Sequence, residues 1–148
     1  MIVTFCTHSD FNIQSKHERF LMALFDKLLH DTYVEFYLGG YGQFDSFAFS
    51  CAKKFKQIHC NASLIFVSPY IKINRDSCIY DDIIYPELEN IHPKYAILER
   101  NKYMIGKSDL VFAYVNKSYG GAYKAFTYAK KLGKKIINLA ECFDCSLT

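Results

Sequence analysis

Residues 33–58 read YVEFYLGGYGQFDSFAFSCAKKFKQI. The segment opens with a β-rich run, breaks at three glycines, and continues with apolar side chains at helical spacing. This order of strand, glycine turn and helix is typical of a βα unit, the element from which parallel sheets are built. The segment therefore predicts an α/β fold.

The same alternation continues in both directions. Further strands and helices are predicted at 2–6, 15–30, 63–68, 93–107, 109–115, 122–132 and 135–139. Residues 69–92 have no sustained period, and their acidic side chains indicate a solvated lid in which Tyr80 or Tyr85 could stack on a base. We expect one domain at 1–140 and a tail at 141–148. Its fold class is α/β: a Rossmann-like, doubly wound, mostly parallel five-stranded sheet with helices on both faces.

Composition excludes several classes of protein. The chain has 148 residues, of which 51% are hydrophobic and 22% charged, so it can bury a core and is not a disordered chain. It has no apolar run long enough to span a membrane and no export signal, which predicts a cytoplasmic protein with reduced thiols. A net charge of +3 argues against duplex DNA as a partner.

Two cysteines near the C-terminus have the spacing of half a zinc or redox site. Cys142 and Cys145 are separated by two residues, but no second pair of ligands accompanies them. We therefore expect no metal and no cofactor.

Three polar segments locate the expected site. In a doubly wound sheet, ligands bind beyond the carboxyl ends of the strands, where the strand order reverses. Segments 7–10, 39–45 and 116–124 each follow a predicted strand and are rich in small and polar residues. We expect all three to meet in one crevice.

Glycines dominate two of these segments. The cluster at 39–42 and the pair Gly120–Gly121 each precede a predicted helix. Either could be a tight turn, but two glycine-rich helix starts facing one crevice favour an anionic ligand held by exposed N–H groups. Neither segment is a P-loop.

Charged side chains near the crevice leave alternatives open. Arg100 falls within the apolar stripe of its helix, so it needs a partner: a structural carboxylate such as Asp109, or a ligand phosphate. Asp45 could accept from ribose hydroxyls or merely complement a helix dipole. His8 could be an acid, a base, a phosphate donor or a plain structural residue.

Together these patterns predict a set of ligand-binding residues. They are Thr7, His8, Gly39, Gly40, Tyr41, Gly42, Asp45, Arg100, Asn116, Ser118, Tyr119, Gly120, Gly121 and Lys124.

The motifs taken together resemble the SLOG superfamily, the Rossmann-like group that includes DprA/Smf and the Lonely Guy proteins, and in particular its small single-domain bacterial members. The resemblance extends to about residue 139. The matching pieces are FCTHSD (5–10), YLGGYGQFD (37–45), YD and IYP (80–86), RN with Met104 (100–104), SDLV (108–111), and YGGA with Lys124 (119–124).

The resemblance implies a pocket for nucleotides or nucleotide-derived ligands. Lonely Guy enzymes hydrolyse the N-glycosidic bond of nucleoside 5′-monophosphates with an Arg and with a Glu in the motif Pro-Gly-Gly-x-Gly-Thr-x-x-Glu. Arg100 matches the Arg. The Glu falls on Thr127, or on Ser46 if the first glycine cluster is aligned, and the motif Thr falls on Lys124. Asp45 is the neighbouring carboxylate that could substitute.

We therefore expect a nucleotide-binding module, that is, a sensor, carrier or sequestering protein. The alternative is a nucleoside monophosphate N-glycosidase with Arg100 and Asp45 as catalytic residues, so whether the protein is an enzyme stays open. Single-stranded DNA binding is disfavoured by the modest charge. The aromatic content of 17% suits a homo-oligomer interface.

Overall fold

The computed structural model describes residues 1–8, 12, 14–40, 42–71 and 79–145, without the side chains of 143–145. These ranges contain six strands and five helices. The strands are β1 Ile2–Thr7, β2 Val34–Leu38, β3 Ala62–Val67, β4 Asp82–Ile84, β5 Leu110–Tyr114 and β6 Lys135–Asn138. The helices are α1 Ser15–Leu29, α2 Gln43–His59, α3 Pro93–Lys107, α4 Gly121–Lys131 and α5 Leu139–Cys145.

The described strands form one all-parallel sheet in the order β4-β3-β2-β1-β5-β6. From β1 the chain proceeds outward through β2, β3 and β4, then returns to the other side of β1 as β5. The strand order therefore reverses between β1 and β5, and this is where a doubly wound sheet opens a crevice. The predicted α/β class and parallel sheet are confirmed.

The prediction of five strands is wrong, because β4 pairs with β3 inside the segment expected to be a lid. Beside β4, the carboxylate of Asp81 accepts from the Leu64 N–H at 2.7 Å and from Lys56 Nζ at 2.6 Å. The ring of Tyr80 stacks on Phe66, with centroids 5.1 Å apart. A three-residue strand has no readable period, so side-chain contacts distant in sequence decide its position.

Two helical layers cover the sheet. Helices α1, α2 and α5 pack on one face through a core centred on Phe25, Phe36 and Phe112, all fully buried. Helices α3 and α4 pack on the other face, where smaller side chains such as Ala125 and Ala129 allow close approach. Both faces of the central strands are thus buried, as a parallel sheet requires.

The predicted C-terminal tail begins as a helix. Asn138 ends β6, and its Oδ1 accepts from the Ala140 N–H at 3.2 Å, which caps the first turn of α5. Leu139 and Ala140 are buried. The short α5 therefore belongs to the folded domain over its first residues.

Positive charge is concentrated in the segment that contains α3 and α4. Residues 93–135 hold ten Lys and Arg but only two Asp and Glu, leaving eight basic and thirteen acidic residues in the rest of the chain. Lys102 Nζ, on α3, lies 5.8 Å from the ring centroid of Tyr128 on α4, within the range of a cation–π contact. The small net charge therefore conceals a strong segregation of charge.

No helix among the described residues combines the length and the apolar composition of a membrane span.

Candidate ligand-binding cleft

A cleft of about 500 Å³ opens at the carboxyl edge of the sheet. Its walls are the end of β1, the first turns of α2 and α4, the loop between β5 and α4, and one side of α3. These are the elements on either side of the β1–β5 reversal. The predicted location of the crevice is therefore where the cleft lies.

Two glycines give the helices at this cleft the same start. Gly42 precedes α2 with φ 91° and ψ 171°, and Gly120 precedes α4 with φ 90° and ψ 177°. Only glycine adopts this region readily, and another residue would cost about 1–3 kcal/mol. Glycine has no side chain to cap a helix, and neither start has a side-chain cap hydrogen bond; helix starts of this kind can bind anions through their first-turn N–H groups.

Two further glycines bring the end of β2 close to its neighbours. A Cβ on Gly40, which has φ 72°, would lie 2.5 Å from the ring of Phe66. A Cβ on Gly39 would lie 3.1 Å from Asp45 Oδ2 and 3.1 Å from Arg100 Nη1. Gly39 is thus the point at which a carboxylate and a guanidinium converge at the cleft.

Arg100 is 2% exposed, and several of its hydrogen bonds go to neutral acceptors. Its Nη1 donates to Gly39 O at 2.7 Å and to Val67 O at 2.9 Å, and its Nε donates to Asn101 Oδ1 at 2.9 Å. The guanidinium therefore ties α3 to the ends of β2 and β3. It also lines the cleft, where it places a fixed positive charge.

The expected carboxylate partner for Arg100, Asp109, is not used. Asp109 Oδ2 accepts from the Ile2 N–H at 2.8 Å, at the amino end of β1. Gly39 and Val67 lie at the carboxyl ends of their strands, so Asp109 and Arg100 are at opposite edges of the sheet. Asp109, the example given for a structural carboxylate partner, is therefore excluded.

Asp45 lies in the first turn of α2 and lines the cleft. A carboxylate at this position is stabilised by the N-terminal end of the helix dipole. The first turn of α4 has no acidic residue. The two helix starts therefore differ electrostatically: one already carries a negative charge, and the other does not.

The end of β1 forms the floor of the cleft with Cys6, Thr7 and His8. Burial raises the pKa of the Cys6 thiol to about 12, so this thiol stays protonated and is not a nucleophile near neutral pH. His8 is 9% exposed, and its backbone N–H donates to Tyr114 O at 3.3 Å. That bond extends the β1–β5 pairing into the cleft.

Most of the predicted ligand-binding residues lie together. Nine line the cleft: Thr7, His8, Gly39, Gly42, Asp45, Arg100, Tyr119, Gly120 and Gly121. Among the described residues, four predicted positions are not part of the lining: Gly40, Asn116, Ser118 and Lys124. Tyr41 lies outside the described residues, as do Ser9 and Asp10 of the first motif.

The cleft also contains residues that sequence reasoning missed. Lys117 lies at the mouth, with its Nζ 6.0 Å from the ring centroid of the exposed Tyr119. Asn101, Ile97 and Met104 come from α3. The signal for Lys117 was its place within segment 116–124. Asn101 directly follows Arg100, and Ile97 and Met104 lie one helical turn from it.

The positions aligned with the glycosidase glutamate do not supply a carboxylate. Thr127 is exposed and donates to Tyr123 O at 2.8 Å within its own helix. Ser46 Oγ lies 3.4 Å from Gly42 O. In the described ranges, Asp45 is the acidic residue that lines the cleft.

No group of three or more His, Cys, Asp or Glu side chains able to hold a metal occurs in the described part of the chain.

No protein-family model matches the sequence, and no curated protein matches it. The resemblance to the SLOG superfamily therefore stays a prediction from the motifs.

Proposed function

We propose that the cleft binds a nucleotide or a nucleotide-derived signalling ligand, and that the protein is a sensor, carrier or sequestering module. The observation that carries the proposal is the convergence of two glycine-capped helix starts and a buried arginine on one cleft. Amide N–H groups at helix starts bind phosphate. A volume of about 500 Å³ is within the range of small-molecule sites.

The charges divide the cleft into two halves. Because Asp45 already occupies the start of α2, a phosphate is favoured at the start of α4, beside Gly120, Gly121 and Lys117. Asp45 then accepts from the ribose hydroxyls, and Arg100 offsets the negative charge between them. Tyr119, which is 69% exposed, is placed to cover a base at the mouth.

Isothermal titration with adenosine, guanosine, cytidine and uridine 5′-monophosphates tests the proposal. Adenosine and inorganic phosphate are the controls, because adenosine lacks the phosphate group and inorganic phosphate lacks the nucleoside. We expect binding of at least one monophosphate and weaker binding of both controls. No binding of any nucleotide, with the titration repeated at a second temperature because a binding enthalpy near zero gives no heat, would contradict it.

A second candidate function is hydrolysis of the N-glycosidic bond of a nucleoside 5′-monophosphate. The convergence of Asp45 and Arg100 at Gly39 supports it, since this chemistry needs a carboxylate near the anomeric carbon. Incubation with each monophosphate should release free base, and Asp45→Asn should abolish the release while preserving binding. Intact nucleotide after prolonged incubation at high enzyme concentration would exclude it.

Binding of single-stranded DNA is a third candidate, and the segregation of charge on the α3–α4 layer supports it. Scattered charge is a reason to disfavour this function, but six of the ten basic residues in 93–135 are lysines on α3 and α4. Filter binding of an oligonucleotide at low salt, repeated with Lys130→Glu and Lys131→Glu, tests it. Equal retention by wild type and by the doubly substituted protein would exclude a role for this layer.

A further inference from the structure

The side chain of Asn138 binds the residue at which the cleft loop leaves the sheet. Its Nδ2 donates to Val115 O at 3.0 Å, and its Oδ1 accepts from the Val115 N–H at 3.1 Å. A side-chain amide thus replaces the backbone partner that β6 no longer provides, and extends the β5–β6 pairing by one residue beyond Tyr114.

The same Oδ1 accepts from the Ala140 N–H, so one amide serves both α5 and the cleft loop. From the other side, the His8 N–H bonds to Tyr114 O. The root of the loop is therefore held by β1 on one side and by Asn138 on the other.

We propose that Asn138 is a positioning residue for the ligand: its amide fixes where β5 ends, and through Val115 it sets the path of residues 116–120. That path delivers Lys117, Tyr119 and Gly120 to the cleft. Since Asn138 is not among the cleft's lining residues, it acts without touching the ligand. The ligand-binding part of this proposal rests on the proposed function, whereas the positioning of the loop does not.

The experiment compares three variants of the full chain. Asn138→Ala removes all three hydrogen bonds. Asn138→Asp keeps acceptors for the Val115 and Ala140 N–H groups but turns a carboxylate oxygen toward Val115 O. Lys134→Met is the matched control: Lys134 precedes the other end of β6 and donates to Gly106 O and Ser108 O, so its loss removes a similar number of bonds away from the cleft.

Two readouts separate positioning from general stability. The first is amide hydrogen exchange of residues 116–121 without ligand, and the second is the Kd for adenosine 5′-monophosphate. We expect both Asn138 variants to accelerate exchange in 116–121 and to raise the Kd by about tenfold or more. Lys134→Met should change neither.

The proposal is overturned if the Asn138 variants change exchange only in α5 and β6 and leave the Kd as it is. It is also overturned if Lys134→Met reproduces both effects. If the wild type does not bind adenosine 5′-monophosphate, nucleotide recognition fails as a function for this ligand, and exchange in residues 116–121 alone decides whether Asn138 positions the loop. Should Asn138→Ala not fold, Asn138→Asp provides the same comparison.

Discussion

The Nη1 atom of Arg100 donates a hydrogen bond of 2.7 Å to the carbonyl oxygen of Gly39. A Cβ atom on Gly39 would crowd both Arg100 and Asp45. This hydrogen bond joins α3 to the end of β2 at the cleft. Arg100 therefore contributes both to the stability of the fold and to the positive charge of the cleft.

Arg100→Met is expected to destabilise the protein by at least about 2 kcal/mol. The substitution leaves the buried carbonyl oxygens of Gly39 and Val67 without their donor, and each such loss costs roughly 1–3 kcal/mol. Urea unfolding measures the effect. Lys94→Met, on an exposed position of the same helix, is the control and should stay within about 0.5 kcal/mol of wild type. Equal stability of wild type and Arg100→Met would show that the two carbonyl bonds contribute little.

Of three Gly→Ala substitutions, two are expected to lower the free energy of unfolding and one to raise it. Gly40→Ala meets the ring of Phe66 at 2.5 Å and requires a positive φ, so it should be the most destabilising. Gly120→Ala has space around its Cβ and a φ of 90°, and should cost about 1–3 kcal/mol from backbone strain alone. Gly106→Ala, in α3 with an open Cβ position and no positive φ, should stabilise by about 0.5–1 kcal/mol.

Thermal or urea unfolding of the three variants gives the ranking. A stabilised Gly120→Ala would mean that the conformation before α4 is not the one described, and the equivalence of the two helix starts would be lost.

Stability should fall in mild acid because of His17. Burial, followed by the charge of Lys16, lowers the pKa of His17 below its ordinary value of 6.5, and its Nδ1 accepts from the Gln14 N–H at 3.0 Å. Below pH 6.5 the unfolded chain binds a proton that the folded protein resists. The contribution of neutral His17 to the free energy of unfolding is therefore fully present above that pH. It is lost as the pH falls below it, by at most about 1.4 kcal/mol for each pH unit.

His17→Gln is the matched variant, because glutamine at this third helical position accepts the same N–H without titrating. The free energy of unfolding at pH 7.5 and 5.5 should drop more for wild type than for His17→Gln. Identical drops would assign the acid sensitivity to other groups.

Most helices and strands could be predicted from the sequence, because long apolar stripes and buried runs fix them. The predicted helix 93–107 is the observed α3, and the ends of α1, α2 and α4 agree within about two residues. In contrast, β4 and α5 are short, and contacts distant in sequence hold them in place. Asp81 bonds to Leu64 beside β4, and the Asn138 side chain caps α5.

The position of the cleft could be predicted from the sequence, but the contacts around it could not. The glycine clusters located both helix starts, and the stripe position of Arg100 correctly predicted its burial. Its acceptors were not predictable, since backbone carbonyls carry no sequence signature and only topology brings Gly39 and Val67 to α3. Asn138 was missed for the same reason: its partner Val115 is adjacent to it only in the sheet.

The most direct test of an anion at the start of α4 is the affinity of Ala122→Glu for nucleoside monophosphates. Ala122 lines the cleft in the first turn of α4, where a carboxylate favours the helix but repels a bound phosphate. Ala122→Gln is the neutral control of the same size. By isothermal titration with the monophosphate that wild type binds best, we expect Ala122→Glu to fold normally and to bind at least about tenfold more weakly than Ala122→Gln. Equal affinities of the two variants would contradict the account.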